Sequence, residues 1–211
     1  MKIEKKFSAG MLTHIYNRGN NKEKIFFDEQ DYRAFLFRLG LALGLAPKEL
    51  VDEPVLSMPY SRIRINSKKN LFKLHAFCLM PNHFHLIIEQ CGDESISKLM
   101  SKLCISYSMY INKKYKRVGH VLQDRFKFNL IESNEQLMWT SAYVHMNPVK
   151  DRIVKYPEKY TWSSYKEYIG TRNIPFLVKE FIIDLFGGLK EFKKETENYF
   201  QKDMSSRVLD I

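Results

Sequence analysis

Two histidines flank a single apolar residue in His83-Phe84-His85, directly after the turn-forming pair Pro81-Asn82 and ahead of Leu86-Ile87-Ile88, a run that reads as a β-strand. Side chains alternate across a strand, so His83 and His85 share one face while Phe84, Leu86 and Ile88 take the other. Two imidazoles on one face are half of a metal site. A strand histidine is more commonly a hydrogen-bonded structural residue than a ligand, so the pair needs further groups before it implies chemistry. Tyr143 and Asn147 stand four residues apart and share a helix face one turn apart. A phenol and a carboxamide at that spacing can meet one centre, although a core tyrosine with a helix-ending asparagine has the same spacing.

The elements that must position these groups follow from periodicity and caps. Leu12 to Arg18 reads as a first strand, closed by Gly19-Asn20-Asn21. Asp28 can cap a helix on which Tyr32, Phe35, Leu36, Leu39 and Leu43 recur at helical spacing. From about residue 46 to 70 the pattern is weak, with Pro54 and Pro59 interrupting it, which marks a long insertion. Leu71 to Leu79 is strand-like and pairs through the Pro81-Asn82 turn with the histidine strand. Ser95 to Asn112 is helical, Phe126 to Glu132 is strand-like, and Ser133 or Asn134 caps a helix whose end Pro148 marks. Beyond Gly170, residues 171–211 read as one or two further helices of unassigned role. The hairpin excludes a regular parallel βαβ repeat, leaving an α/β mixture with a largely antiparallel sheet.

A chain of 211 residues with 45% hydrophobic content supports one well-buried domain. No apolar run is long enough to cross a bilayer and no secretory signal is evident, so we expect a cytoplasmic protein associated with the nucleoid and not with membranes. Cys78, Cys91 and Cys104 lack Cys-x-x-Cys spacing and read as reduced thiols. The formal net charge of +10 implies a polyanionic partner, most commonly nucleic acid. Tyr110, Tyr115 and Phe126 lie among basic residues, a composition that suits stacking on unpaired bases and equally suits solvated helix faces with core aromatics.

Four motifs occur in one order: Met80-Pro81-Asn82-His83-Phe84-His85-Leu86, Gly119 to Lys127, Tyr143-Val144-His145-Met146-Asn147-Pro148-Val149-Lys150 and Trp162-Ser163-Ser164-Tyr165. Together with the opening His14-Ile15-Tyr16-Asn17-Arg18-Gly19-Asn20-Asn21, they resemble the REP-associated tyrosine transposases, a branch of the single-tyrosine HUH transposases. The resemblance covers about residues 10 to 170 and implies an α+β, ferredoxin-like or RRM-like antiparallel sheet with helices packed on it and the histidine motif on a central strand. It implies action on single-stranded DNA near hairpins or palindromic repeats, by a monomer or homodimer. By matching positions, it implies His83, His85 and Asn147 as metal ligands, Tyr143 as nucleophile, and Mg²⁺ or Mn²⁺ as the ion. Imidazoles suit Mn²⁺ better than Mg²⁺, which prefers oxygen ligands. Two positions depart from the family pattern: Leu122 stands where relatives often carry an aromatic residue, and Asp124 where a small one is common. A carboxylate there either pairs with Arg125 or repels phosphate.

The chemistry is coherent in its own terms. A tyrosine hydroxyl, with an ordinary pKa of about 10, needs a metal or a neighbouring group to act as a nucleophile at neutral pH. Attack on a phosphodiester leaves a 5′-phosphotyrosine and a free 3′-OH, and another 3′-OH reverses the reaction without ATP. Arg18, Arg125, Lys127 and Lys150 are candidate nucleic-acid contacts, each also open to a surface ion pair. A second reading is a nucleic-acid-binding module on the same fold with cleavage dormant. His14 and His75, on strand-like segments, read as structural, His120 as a turn residue or a DNA contact, and His145 as turned away from the Tyr143 face.

Overall fold

The computed structural model describes residues 9–51 and 69–208 of the chain. The strands are β1 (Met11–Arg18), β2 (Phe72–Met80), β3 (His83–Gln90) and β4 (Lys127–Ile131). They form one sheet in the order β2-β3-β1-β4, with every pairing antiparallel. Helices α1 (Glu29–Ala42) and α3 (Ile96–Lys114) cross between strands, with the short α2 (Lys48–Val51) after α1, so the order through β4 is that of a ferredoxin-like fold. α4 (Asn134–Lys150), α5 (Tyr165–Tyr168), α6 (Glu180–Phe186) and α7 (Leu189–Val208) follow. The insertion expected over about 46–70 lies mostly outside the described residues.

Alternation divides the sheet. Phe84 on one face meets Phe35 of α1 at a ring separation of 5.0 Å, and Tyr107 of α3 packs edge-on against the same Phe35. His85 on the other face looks toward Tyr143 of α4. The start of α1 is set by Asp28 and Asp31 in a reciprocal capping box. Asp31 is fully buried, yet it receives Lys114 at 2.8 Å and the Tyr110 and Tyr115 hydroxyls at 3.1 and 2.8 Å. The tyrosines that stand among basic residues therefore serve a clasp between α1 and α3.

The outer edge of β2 is covered. Leu79 donates its N–H to Trp162, Ser164 donates to Phe77, and Val178 donates to Leu74. The Ser164 hydroxyl also accepts the Phe77 N–H at 2.9 Å, so the Trp162-Ser163-Ser164-Tyr165 motif works as an edge clip. His75 is buried between the Val178 carbonyl at 2.8 Å and the Glu89 carboxylate at 2.9 Å, in keeping with a structural role. His145 points into the cluster of Tyr165, Tyr168 and Phe192. α6 and α7 both pack against α4.

One expectation is corrected. Pro148 lies inside α4, which continues to Lys150. Proline removes only its own N–H donor, and the following turn is closed by Asp151 N–H on Asn147 and Ile153 N–H on Pro148.

Candidate active site

His83 and His85 open β3, an inner strand, and their rings are 5.1 Å apart and nearly perpendicular. On β1, Arg18 stands opposite His83 and Tyr16 opposite His85. On β4, Lys127 stands opposite Tyr16. Paired residues point to the same side of a sheet, so Arg18 and Lys127 share the histidine face at one end of the strands. Both are exposed.

α4 lays Tyr143 over this face. Its ring lies 5.6 Å from that of His85, edge-on, within the same chain. The Lys150 ammonium sits 4.8 Å from the centre of the Tyr143 ring. Asn147 is almost fully buried and donates its amide N–H to the Tyr143 carbonyl at 2.8 Å, which leaves its oxygen as the acceptor end. Arg125 is separate from this cluster. It lines a groove of about 830 Å³ between α3 and the 119–126 segment, together with His120, Ile105 and Met109. Asp124 accepts the Arg125 backbone N–H at 2.8 Å, using its carboxylate within the turn.

Two further residues enter the site. Asn82 donates its amide to the Lys22 carbonyl, which turns its oxygen toward His83 at 2.7 Å from Nδ1. His83 Nδ1 must then carry the proton, and Nε2 keeps its lone pair. His14, read from sequence as structural, places Nε2 3.0 Å from His85 Nδ1 and its ring 6.0 Å from that of Tyr143. The sequence signal for it was its alternation with Tyr16 and Arg18. His85 Nε2 is buried and has no hydrogen-bond partner among the described residues.

Electrostatics keep these rings neutral. Burial pushes His14 and His83 down to about 4, Arg18 adding to the shift at His83 and Asp151 opposing it. His85 is held well below the usual histidine range, first by burial and then by His14, His83, Lys150 and Arg18. Among the described residues, no group of three or more histidine, cysteine or carboxylate side chains is gathered for a metal. The structure pairs the two imidazoles with each other, while the Asn147 amide is tied to its own helix through the Tyr143 carbonyl. The orphaned, buried His85 Nε2 and the lone pair on His83 Nε2 fit a divalent ion.

The four-stranded antiparallel sheet with its helices is a fold found in a tyrosine transposase. A solved REP-associated tyrosine transposase bound to a REP hairpin superposes with a TM-score of 0.57, over 85% of this chain and 98% of that one, at 14% identity. Residues 48–147, which include His83, His85, Tyr143 and Asn147, match the family model described as IS200-like transposase. Both comparisons agree with the family that the sequence motifs resemble. A comparison with curated proteins finds no match. No helix among the described residues is long and apolar enough to cross a membrane.

Proposed function

We propose that this protein is a single-stranded DNA transposase that cuts and rejoins strands near hairpins through Tyr143. The observation that carries this reading is the approach, within one chain, of the Tyr143 ring to His85, the buried member of the histidine pair. In the proposed reaction the Tyr143 hydroxyl oxygen bonds to the scissile phosphorus as the bond to the 3′ oxygen breaks. The product is a 5′-phosphotyrosine, and the departing oxygen takes a proton to become a 3′-OH. Attack by a different 3′-OH reverses the step, releases the phenol and joins new strands. Because ester is exchanged for ester, no nucleotide triphosphate is needed.

A divalent ion, Mn²⁺ or Mg²⁺, would supply phosphate polarisation when bound, with His83 Nε2, His85 Nε2 and the Asn147 amide oxygen as its protein ligands. Asn82 and His14 act on those ligands. Asn82 fixes the His83 tautomer, and His14 accepts the His85 Nδ1 proton so that the buried Nε2 keeps its lone pair. Lys150 places positive charge where phosphate arrives, and Arg18 and Lys127 extend that charge along the sheet end. Arg125, set apart in its groove, contacts more distant phosphates. Residues up to about 170 constitute the catalytic unit, and beyond it α6 and α7 form a helical extension braced on α4. The reaction belongs with chromosomal DNA in the cytoplasm.

The test is incubation of the full chain with hairpin-bearing single-stranded DNA and Mn²⁺ or Mg²⁺. A protein–DNA adduct that survives denaturation and is lost in Tyr143→Phe is expected. Tight hairpin binding with no adduct across varied hairpins would instead identify the dormant binding module.

A further inference from the structure

One turn before Tyr143 on α4 stands Trp139, and the two rings are stacked with planes 6° apart and centroids 5.4 Å apart. Lys150 approaches the Tyr143 ring as well, so indole, phenol and ammonium form a short column beside the histidine pair. The indole is 44% exposed. The other tryptophan, Trp162, is 8% exposed and stacked on Tyr32 in the core. An amphipathic helix ordinarily directs so large an apolar ring inward. Trp139 instead keeps a broad apolar surface open to solvent, stacked on the tyrosine that Lys150 also approaches.

We propose that Trp139 is a stacking platform for an unpaired nucleobase of single-stranded DNA, the one adjoining the phosphate that Tyr143 attacks. This rests on the strand-transfer reading above. A planar π-face one ring away from the Lys150 ammonium matches a nucleotide, whose base stacks while its phosphate meets the cation. The platform selects for unpaired DNA, because bases within a duplex are already stacked and present their edges and backbone to a protein. Stacking at this position also holds the neighbouring phosphate over Tyr143, so Trp139 is a positioning residue for the reaction.

The test compares binding of the full chain to two DNA hairpins, one with an unpaired flank and one blunt, without divalent metal. Intrinsic tryptophan fluorescence is followed in the same titrations. The flanked hairpin should quench emission in the unsubstituted protein, and Trp139→Phe should remove that quenching while keeping most of the affinity. Trp139→Ala should weaken binding of the flanked hairpin about tenfold and leave the blunt hairpin unchanged. A thermal melt shows that each variant is folded. Unchanged affinity in Trp139→Ala, equal loss on both hairpins, or quenching that persists in Trp139→Phe would overturn the platform. Adduct formation on Tyr143 alongside any of these results would leave the strand-transfer reading standing. Failure to bind any single-stranded DNA would overturn both.

Discussion

Replacing His14 with phenylalanine tests how the histidine pair is prepared for a metal. The substitution keeps a planar ring in a buried position and removes the nitrogen that lies 3.0 Å from His85 Nδ1. A buried N–H left without an acceptor costs about 1–3 kcal/mol, which the free protein would show as a lower melting temperature. The His85 ring then loses the contact that fixes its tautomer, and a proton on Nε2 competes directly with a metal. Loss of such an outer partner weakens metal binding by about 10- to 100-fold, or ~1.4–2.8 kcal/mol. Calorimetric titration of the metal-free chain with Mn²⁺, in the absence of DNA, reads the effect. His14→Gln, whose side-chain amide oxygen reaches about as far as the lost nitrogen, should recover most of the affinity. If folded His14→Phe binds Mn²⁺ as tightly as the unsubstituted protein, or His14→Gln binds as weakly as His14→Phe, His14 does not orient His85.

Other perturbations probe the frame and the surface. Lys114→Met removes the one cation paired with the fully buried Asp31 among the described residues and should cost about 3 kcal/mol in denaturant unfolding, whereas an exposed pair such as Arg33 with Glu29 should cost under about 1 kcal/mol. Burial pushes His14 and His83 down to about 4 and His145 to about 3, against an ordinary value of 6.5. Below 6.5 the unfolded chain therefore holds more protons. The metal-free protein should keep the stability from these groups above pH 6.5 and lose about 1.4 kcal/mol per pH unit for each between 6.5 and about 4, as pH-resolved melts would show. Arg18→Ala and Lys127→Ala should each weaken hairpin binding and lower the slope of log affinity against log salt by about 1, measured by fluorescence anisotropy.

The parts of the site that could be read from sequence were those set by local periodicity. Alternation put His83 and His85 on one face, helical spacing put Tyr143 and Asn147 on another, and Asp28 and Ser133 cap α1 and α4 with side-chain bonds. The parts that escaped depend on register or on distant partners. His14 joins His85 because β1 pairs with β3 so that Tyr16 faces His85, leaving His14 on the diagonal. Asn82 reads as a turn residue, and its orienting role depends on the Lys22 carbonyl across the fold. Tyr110 and Tyr115 sit among cations in sequence, yet their hydroxyls bond to Asp31, which no local pattern reveals. Trp139 has the right spacing to meet Tyr143, but spacing alone does not distinguish a stacked pair open to solvent from a core pair.

The central claim is a covalent bond between Tyr143 and a DNA 5′-phosphate. Trypsin cutting after Lys127 and Lys150 releases a peptide with a single tyrosine, Tyr143, so the site of attachment is unambiguous. After reaction with a hairpin oligonucleotide and nuclease trimming, mass spectrometry should find that peptide carrying a nucleotide through its 5′-phosphate, with the other DNA fragment ending in a free 3′-OH. A nucleotide on any other peptide, or a Tyr143 adduct through a 3′-phosphate, would contradict the account.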